Sequence, residues 1–136
     1  MKLVYQAVFY KCKEGGYTVE FPDLPGCTTQ GDDIADALDM ADYAASGWLL
    51  STIEDGGVVP KSTTNMHLSS FDGAEFINLV MVDLEKYSKL YSKNAIKKTL
   101  TIPKWLNTLA EKKNINFSQV LQKALKAELG LNYDNK

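Results

Sequence analysis

Residues 96–130, with the sequence IKKTLTIPKWLNTLAEKKNINFSQVLQKALKAELG, predict one strand followed by two helices. Apolar and polar side chains alternate over residues 96–102, which indicates a strand. Pro103 ends that strand, because proline cannot donate a ladder hydrogen bond but suits the first turn of a helix. We therefore expect a helix that runs from Pro103 to about Lys113.

The second helix follows a short turn. Asn114 is expected to take the left-handed conformation that commonly ends a helix. Asn116 is a good capping residue for the next helix, whose apolar residues recur at helical spacing as far as Gly130. The segment is thus predicted to be a strand, a helix, a turn and a helix.

The predicted strand at 96–102 has no partner in its own segment. A lone strand leaves its backbone donors and acceptors unpaired, and three elements of this length cannot bury an adequate core. Pairing the strand with its copy in a second chain solves both problems and gives an antiparallel ribbon over four helices, with two-fold symmetry. We therefore expect a homodimer through this ribbon, with a higher oligomer left open.

Alternation divides the side chains of this strand between two faces. Lys97, Thr99 and Thr101 lie on one face and point away from the helices. A two-stranded ribbon can enter the major groove of DNA, so this face is the candidate base-reading surface. The alternative is an ordinary polar strand face, because threonine is a good strand residue and an edge lysine discourages aggregation.

The pattern of strand, helix and helix resembles the ribbon-helix-helix family of DNA-binding proteins. The resemblance implies that Lys97, Thr99 and Thr101 read bases. It also implies that the start of the second helix meets phosphate, where free N–H groups favour an anion; the residues there are Asn116, Phe117 and Ser118. The chain departs from the family at Lys98, where an apolar residue is usual, and in having no arginine.

The first ninety residues predict a small sheet with helices. Apolar β-branched and aromatic residues mark the strands, and the uninterrupted apolar run at 76–82 is consistent with a strand buried in the sheet. The order β-β-β-α-β-α belongs to the α+β class. The predicted strands are 2–12, 17–21, 27–30 and 76–82, and the predicted helices run from Asp33 to Gly56 and from Asp83 to about Tyr91.

The net charge of the chain changes sign between its first 92 residues and the rest. Residues 1–92 carry six lysines against fourteen aspartates and glutamates, a net charge of −8. Residues 93–136 carry nine lysines against three acidic residues, a net charge of +6. This division indicates an acidic half for a basic partner and a basic half for a polyanion. The alternative is two solvated surfaces of a single domain.

The acidic half contains a second recognisable pattern. Residues 17–41, YTVEFPDLPGCTTQGDDIADALDMA, and residues 57–60, GVVP, resemble the HicB family of antitoxins, and the resemblance covers roughly residues 1–130. It implies a partial ribonuclease-H-like domain at 1–87 that binds a small ribonuclease toxin of the HicA type. It further implies a linker at 88–95 and a ribbon-helix-helix domain at 96–136 that dimerises and binds the operon's own promoter DNA. A stand-alone ribbon-helix-helix transcription regulator is the alternative.

The first helix of the acidic half offers a candidate toxin-binding face. The side of this helix opposite its apolar stripe is acidic and partly apolar, as suits a competitor of RNA for a basic toxin. The alternative is a solvated face with acidic residues favoured by the helix dipole, and the sheet edge is a second candidate surface. The residues of the candidate face are Asp32, Asp36, Asp39, Met40 and Tyr43.

A Mg²⁺-dependent ribonuclease is the third interpretation of the acidic half. Such a site needs carboxylates clustered on central strands to hold two metal ions. The strand from Lys2 to Tyr10 and the strand at 76–82 contain no acidic residue, and Glu20 has no evident strand-borne partner. His67, the single histidine, lies in a loop-like stretch. We therefore predict no catalytic residue, no metal, no cofactor and no enzyme activity.

The remaining features indicate a cytoplasmic protein. The N-terminus is interrupted by polar residues and lacks a small-residue cleavage site, so it is predicted to be a strand and not a signal peptide. No apolar run approaches the length of a membrane span. Cys12 and Cys27 fit no metal or redox spacing and are expected to be reduced thiols.

Overall fold

The computed structural model describes residues 1–131 and divides into two compact units between Lys93 and Asn94. The predicted order β-β-β-α-β-α is confirmed in the first unit, and two helices are confirmed in the second. The strands are β1 (Lys2–Lys11), β2 (Tyr17–Glu20), β3 (Thr28–Gly31) and β4 (Phe76–Asp83). The helices are α1 (Ile34–Glu54), α2 (Leu84–Tyr91), α3 (Lys104–Lys112) and α4 (Phe117–Glu128), with a short 3-10 turn at Leu68–Ser70.

The four strands form one antiparallel sheet in the order β3-β2-β1-β4. The hairpin between β1 and β2 turns through Gly15 and Gly16, both in the left-handed backbone region that glycine adopts without steric cost. A side chain at Gly16 would also place its Cβ 2.5 Å from the carbonyl oxygen of Gly31. This close approach of two backbones lets the end of β3 lie beside the start of β2.

Helix α1 packs on the sheet through small residues. Ala37, Ala41 and Ala45 are completely buried, and a Cβ at Gly31 would lie 2.3 Å from the backbone nitrogen of Ala37. Larger residues at these positions would force the helix away from the sheet, because protein interiors are close-packed. The alanine-rich sequence therefore fixes the short distance between α1 and β3.

The start of α1 is capped by two aspartate side chains. The Asp33 carboxylate accepts a hydrogen bond from the backbone nitrogen of Asp36 at 2.8 Å. The Asp36 carboxylate in turn accepts from the backbone nitrogen of Asp32, also at 2.8 Å. These two bonds satisfy N–H groups that have no partner within the helix.

The Pro-Asp-Leu-Pro-Gly turn at residues 22–26 is anchored on both sides. Leu24 is completely buried, and the indole nitrogen of Trp48 on α1 donates to the carbonyl oxygen of Pro25 at 3.0 Å. The Asp23 carboxylate accepts from the backbone nitrogen of Thr63 at 2.6 Å and from its hydroxyl at 2.7 Å. The turn therefore ties α1 to the long connection that leads into β4.

The helix predicted from Asp83 to about Tyr91 is confirmed as α2, which Asp83 caps by accepting from the backbone nitrogen of Lys86. Residues 88–91 of the linker expected at 88–95 therefore belong to this helix. The polar residues there belong to the outer face of an amphipathic helix. The prediction of a buried strand at 76–82 is wrong, because β4 is an edge strand with Leu79 and Met81 exposed. Composition alone cannot distinguish a strand covered on both faces from one covered on one.

The second unit contains the two predicted helices. Asn114 has the expected left-handed backbone, with φ of 54°. Asn116 caps α4 by accepting from the backbone nitrogen of Gln119 at 3.1 Å, and Gly130 follows the helix with φ of 70°. The predicted turn at Asn114 and the predicted start and end of α4 are thus confirmed. Residues 132–136 of the predicted domain lie outside the described residues.

The predicted strand at 96–102 is not present in the single chain, in which residues 92–103 have no regular secondary structure. A strand is defined by hydrogen bonds to a neighbouring strand, and the sequence prediction placed that neighbour in a second copy. Residues 92–103 still lead directly into α3, which begins after Pro103 as expected.

Removing the cap of α1 should destabilise the first unit. We expect Asp33→Ala to lower the free energy of unfolding by about 1 kcal/mol, because the N–H of Asp36 loses its partner. Urea denaturation followed by circular dichroism at fixed protein concentration measures this change. Asp39→Ala is the matched control, since it removes an exposed carboxylate from the same helix; equal losses in the two variants would contradict the capping role.

Candidate functional site

The second unit exposes most of its apolar side chains. No residue of α3 or α4 is buried, and folded soluble chains rarely leave a contiguous apolar surface of this kind uncovered. We call these residues the uncovered apolar set. They are Ile96, Leu100, Ile102, Trp105, Leu106, Leu109, Ile115, Phe117, Val120, Leu125 and Leu129.

The uncovered apolar set includes side chains that face the interior in most soluble domains. Leu109 on α3 and Leu125 on α4 are 55% and 51% exposed. Both helices are strongly amphipathic in sequence, so the exposed residues form a stripe on each helix and are not scattered. A stripe on each of two adjacent helices is the arrangement that packs against other helices.

The predicted base-reading residues lie in the irregular segment that precedes α3. Lys97, Thr99 and Thr101 are all exposed. They alternate with Leu100 and Ile102 of the uncovered apolar set. Both the polar and the apolar side chains of this segment are therefore exposed in the single chain.

The predicted phosphate-binding end of α4 is partly occupied. The Asn116 side chain already accepts a hydrogen bond from the backbone N–H of Gln119. The first donors at this end of the helix are therefore the N–H groups of Phe117 and Ser118. The Ser118 hydroxyl oxygen accepts from the side-chain nitrogen of Gln122 at 3.2 Å. Its proton is consequently not committed to that bond and can be donated to an anion.

The predicted toxin-binding residues lie together at the start of α1 but differ in their contacts. Asp39 and Met40 are exposed, as is Asp32. Asp36 is half-buried, and its carboxylate accepts a hydrogen bond from the backbone N–H of Asp32. The carboxylate of Asp36 therefore has a structural role that limits its use as a contact, whereas Asp39 is available.

Tyr43 contacts a helix that the sequence analysis did not connect with this face. Its ring lies 5.5 Å from that of Tyr87 and 5.0 Å from that of Tyr91, both edge-on, and the two α2 rings are 5.0 Å apart. Burial is the main cause that raises the pKa of Tyr87 above its ordinary value. The spacing of tyrosines four residues apart on α2 was the signal in the sequence for this cluster.

The carboxylates considered for nuclease chemistry have other surroundings. Asp23 is held by Thr63, and Glu20 lies on β2 opposite Val8 of β1. Among residues 1–131, no group of three or more histidine, cysteine, aspartate or glutamate side chains could hold a metal ion. His67 precedes the 3-10 turn at Leu68–Ser70, and its side chain makes no capping hydrogen bond there.

The two cysteines are free thiols in different environments. Cys27 is buried, and burial raises the pKa of its thiol to about 11. Cys12 is half-buried, with its sulfur 3.3 Å from the hydroxyl of Thr18. A buried thiol with a raised pKa is a poor nucleophile, since the thiolate is the reactive form. Over the described part of the chain, no helix has both the length and the apolar character to cross a membrane.

Comparison with known proteins gives a family match over most of the chain. Residues 5–125 match the family described as the HicB-like antitoxin of bacterial toxin–antitoxin systems. A chain of the solved toxin–antitoxin complex from Streptococcus pneumoniae is 33% identical, with 94% of this chain and 99% of that chain covered and a TM-score of 0.60. The N-terminal domain of the Burkholderia pseudomallei antitoxin HicB is 30% identical, covers 60% of this chain and 100% of that domain, and has a TM-score of 0.50.

Two curated sequences match shorter segments. Antitoxin HicB 1 of Photorhabdus laumondii is 49% identical over 37 residues, which are 27% of this chain and 24% of that protein. An uncharacterised 14.9 kDa protein of Haemophilus phage HP1 is 35% identical over 71 residues, 51% of this chain and 53% of that protein. The matches therefore span about half or less of the length of these two relatives.

The mixed α and β fold and these matches together define an antitoxin of a bacterial toxin–antitoxin system. Within that class, the chain belongs to the HicB-like antitoxin family. The resemblance first seen in residues 17–41 is thereby confirmed at the level of the family.

The two cysteines should differ in their reactivity. We expect one equivalent of a thiol-reactive disulfide reagent to react quickly with the native protein at pH 8 and the second to react only on unfolding. The reason is that Cys27 is buried with a raised pKa whereas Cys12 is half-buried. Absorbance of the released thiol measures the reaction. Cys12→Ser should remove the fast phase, and a fast phase that persists in that variant would contradict this assignment.

Proposed function

We propose that this chain neutralises a small ribonuclease toxin of the HicA type and, as a dimer, binds its own promoter DNA to repress transcription. The family match and the likeness to a chain of a toxin–antitoxin complex support the toxin partner. The division into an acidic and a basic half supports two separate binding functions. The chain has no chemistry of its own in this proposal, and it acts in the cytoplasm.

The uncovered apolar set is the observation that supports the DNA-binding part of this proposal. Two amphipathic helices without a buried residue cannot stabilise a folded unit by themselves, because burial of apolar surface is the dominant favourable term in folding. A second copy supplies an equal stripe on each of its helices. We infer a four-helix core in which residues 96–102 of the two chains pair as the ribbon of a ribbon-helix-helix domain.

Ribbon formation would sort the side chains of residues 96–102. Leu100 and Ile102 would turn towards the four-helix core, and Lys97, Thr99 and Thr101 would turn outwards to the base edges of the major groove. The start of α4 would offer its free N–H groups to a phosphate. The net charge of +6 over residues 93–136 favours this encounter, since phosphate neutralisation dominates affinity for DNA.

The toxin-binding part of this proposal rests on the negative charge and the exposed side chains of the first unit. A toxin that grips RNA must present a basic surface, and residues 1–92 carry a net charge of −8. Exposed Asp39 and Met40 on α1, with Tyr43 beside them, give an acidic rim and apolar anchors. We propose that this partial ribonuclease-H-like unit covers the RNA-binding surface of the toxin with this face.

A stand-alone transcription regulator remains the second candidate, because dimerisation and DNA binding need no toxin. Co-expression with the neighbouring open reading frame distinguishes the two. The antitoxin proposal predicts that the neighbour is toxic alone, and that it is neutralised by and co-purifies with this chain. A harmless neighbour that forms no complex would favour the regulator.

The proposed base contacts can be tested on the ribbon. We expect Lys97→Ala combined with Thr99→Ala to weaken operator binding by about 1–3 kcal/mol per lost base contact while the dimer persists. A gel-shift titration on the chain's own upstream DNA measures this loss. Lys123→Ala on α4 is the control, because it removes an equal charge outside the ribbon. Dissociation of the dimer by the double substitution would show that the faces of the strand are assigned in reverse.

The proposed toxin contact can be tested with a charge reversal on α1. We expect Asp39→Lys to weaken binding of the neighbouring gene's product about tenfold, because an exposed acidic rim residue becomes repulsive. Operator binding should not change. Isothermal titration calorimetry measures the affinity, and Asp72→Lys in an exposed turn changes the net charge equally and serves as the control. Equal effects of Asp39→Lys and Asp72→Lys would remove α1 from the interface.

A further inference from the structure

Three tyrosine rings form one cluster where α2 lies against α1. The ring of Tyr43 is 5.5 Å from that of Tyr87 and 5.0 Å from that of Tyr91, and the two α2 rings are 5.0 Å apart. Contacts of this kind stabilise aromatic pairs beyond the apolar area that they bury. The rings therefore hold one another in place, and we call Tyr43, Tyr87 and Tyr91 the tyrosine cluster.

The tyrosine cluster has a fixed base and two open rings. Tyr87 is half-buried, and a Cβ at Gly47 would lie 2.9 Å from its hydroxyl oxygen, so this ring is seated against the backbone of α1. Tyr43 and Tyr91 are 46% and 58% exposed. Tyrosines with an open ring and few rotatable bonds are among the residues that most often dominate the binding energy of an interface.

An exposed carboxylate lies on the same side of α1 as the open rings. Asp39 precedes Tyr43 by one helical turn, so the two side chains are neighbours on the helix surface. Tyr87 reaches α1 at Gly47, one turn after Tyr43, whereas the ring of Tyr91 is the nearer of the two α2 rings to Tyr43. This order places Tyr91 on the Asp39 side of the cluster.

The two lysines within α2 face away from the tyrosine cluster. At about 100° per residue, Lys86 and Lys89 are turned by about 100° or more around the helix from both of its tyrosines. Lys89 also forms an ion pair with Glu85, with its Nζ 3.7 Å from the carboxylate. The charged groups on the face of α1 that carries Tyr43 are the carboxylates Asp36 and Asp39. The surroundings of the open rings therefore favour a cation.

We propose that the open rings of Tyr43 and Tyr91 receive an arginine side chain of the ribonuclease toxin, with Asp39 as its anionic partner. This inference rests on the proposed function, because it deepens the contact assigned there to α1. A guanidinium is planar and weakly hydrated, so it stacks on an aromatic face while its N–H groups donate to a carboxylate. The first unit, with its net charge of −8, attracts such a basic group before contact.

The spacing of the rings argues against other occupants. Centroids 5.0–5.5 Å apart belong to rings in contact, so no ligand fits between them as a quaternary ammonium ion does in an aromatic cage. The occupant must instead lie on the outer surface of the cluster. A purely apolar group there would remove water from the Asp39 carboxylate without replacing its hydrogen bonds. An arginine covers the rings and pairs with the carboxylate.

Calorimetric titration of the neighbouring gene's product into the full-length chain tests the arginine contact. Tyr91→Leu should weaken binding about tenfold, because it keeps an apolar side chain but removes the ring face that attracts a cation. Tyr91→Phe keeps that face and should change the affinity less than about threefold. Tyr10→Leu, on β1 beside Glu20 and Asp72, is the matched control and should bind as the native chain does. Circular dichroism establishes that each variant is folded.

A double-mutant cycle tests whether the ring and the carboxylate hold the same group. Asp39→Asn should also weaken binding. Combined with Tyr91→Leu, it should weaken binding by less than the product of the two separate effects, because either change alone already disrupts the shared site. Effects that simply multiply would overturn the shared site, since they would mean two separate contacts.

The remaining outcomes separate this inference from the proposed function. If the native chain binds the product and Tyr91→Leu binds equally well, the inference is overturned and the antitoxin function stands. Equal losses in Tyr91→Leu and Tyr91→Phe would also overturn it, because they would assign the contact to the hydroxyl and not to the ring face. A native chain that does not bind the product at all overturns both the inference and the proposed function.

Discussion

The need to cover apolar surface dominates the organisation of this chain. Helices α3 and α4 bury no residue within one copy, although both are strongly amphipathic in sequence. Because conformational entropy opposes folding at every residue, such helices persist only when another surface covers their apolar stripes. In our account the cover is a second copy, and the ribbon, the two-fold symmetry and the DNA-reading face all follow from that one requirement.

The first unit satisfies the same requirement internally. Alanines on α1 lie against the sheet, and the turn at residues 22–26 is tied to Trp48 and Thr63. The residues that made this segment recognisable in the sequence are thus structural: Asp23 holds a loop, and Gly31 permits close approach of α1. A unit that is complete in itself can carry an acidic surface for a partner without depending on that partner for its fold.

The sequence predicted the elements of both units well, because local signals mark them. Capping aspartates, left-handed Asn114 and Gly130, and helical periodicity each act over a few residues. It failed where position in the sheet or contact between elements decides the outcome. Nothing local distinguishes β4 as an edge strand, and nothing local shows that Tyr43 meets the tyrosines of α2. In our proposal the strand at 96–102 pairs with a second chain, so a single copy would not display it.

Dilution of the segment from Asn94 to Lys136 tests the central claim most directly. Circular dichroism at 222 nm, recorded over a wide concentration range together with sedimentation equilibrium, reports helicity and mass on the same samples. Our account predicts that helicity and the dimeric mass are lost together as the segment is diluted. A segment that stays helical, unfolds cooperatively and sediments as a monomer at every concentration would contradict the account, because the uncovered apolar set would then need no second copy.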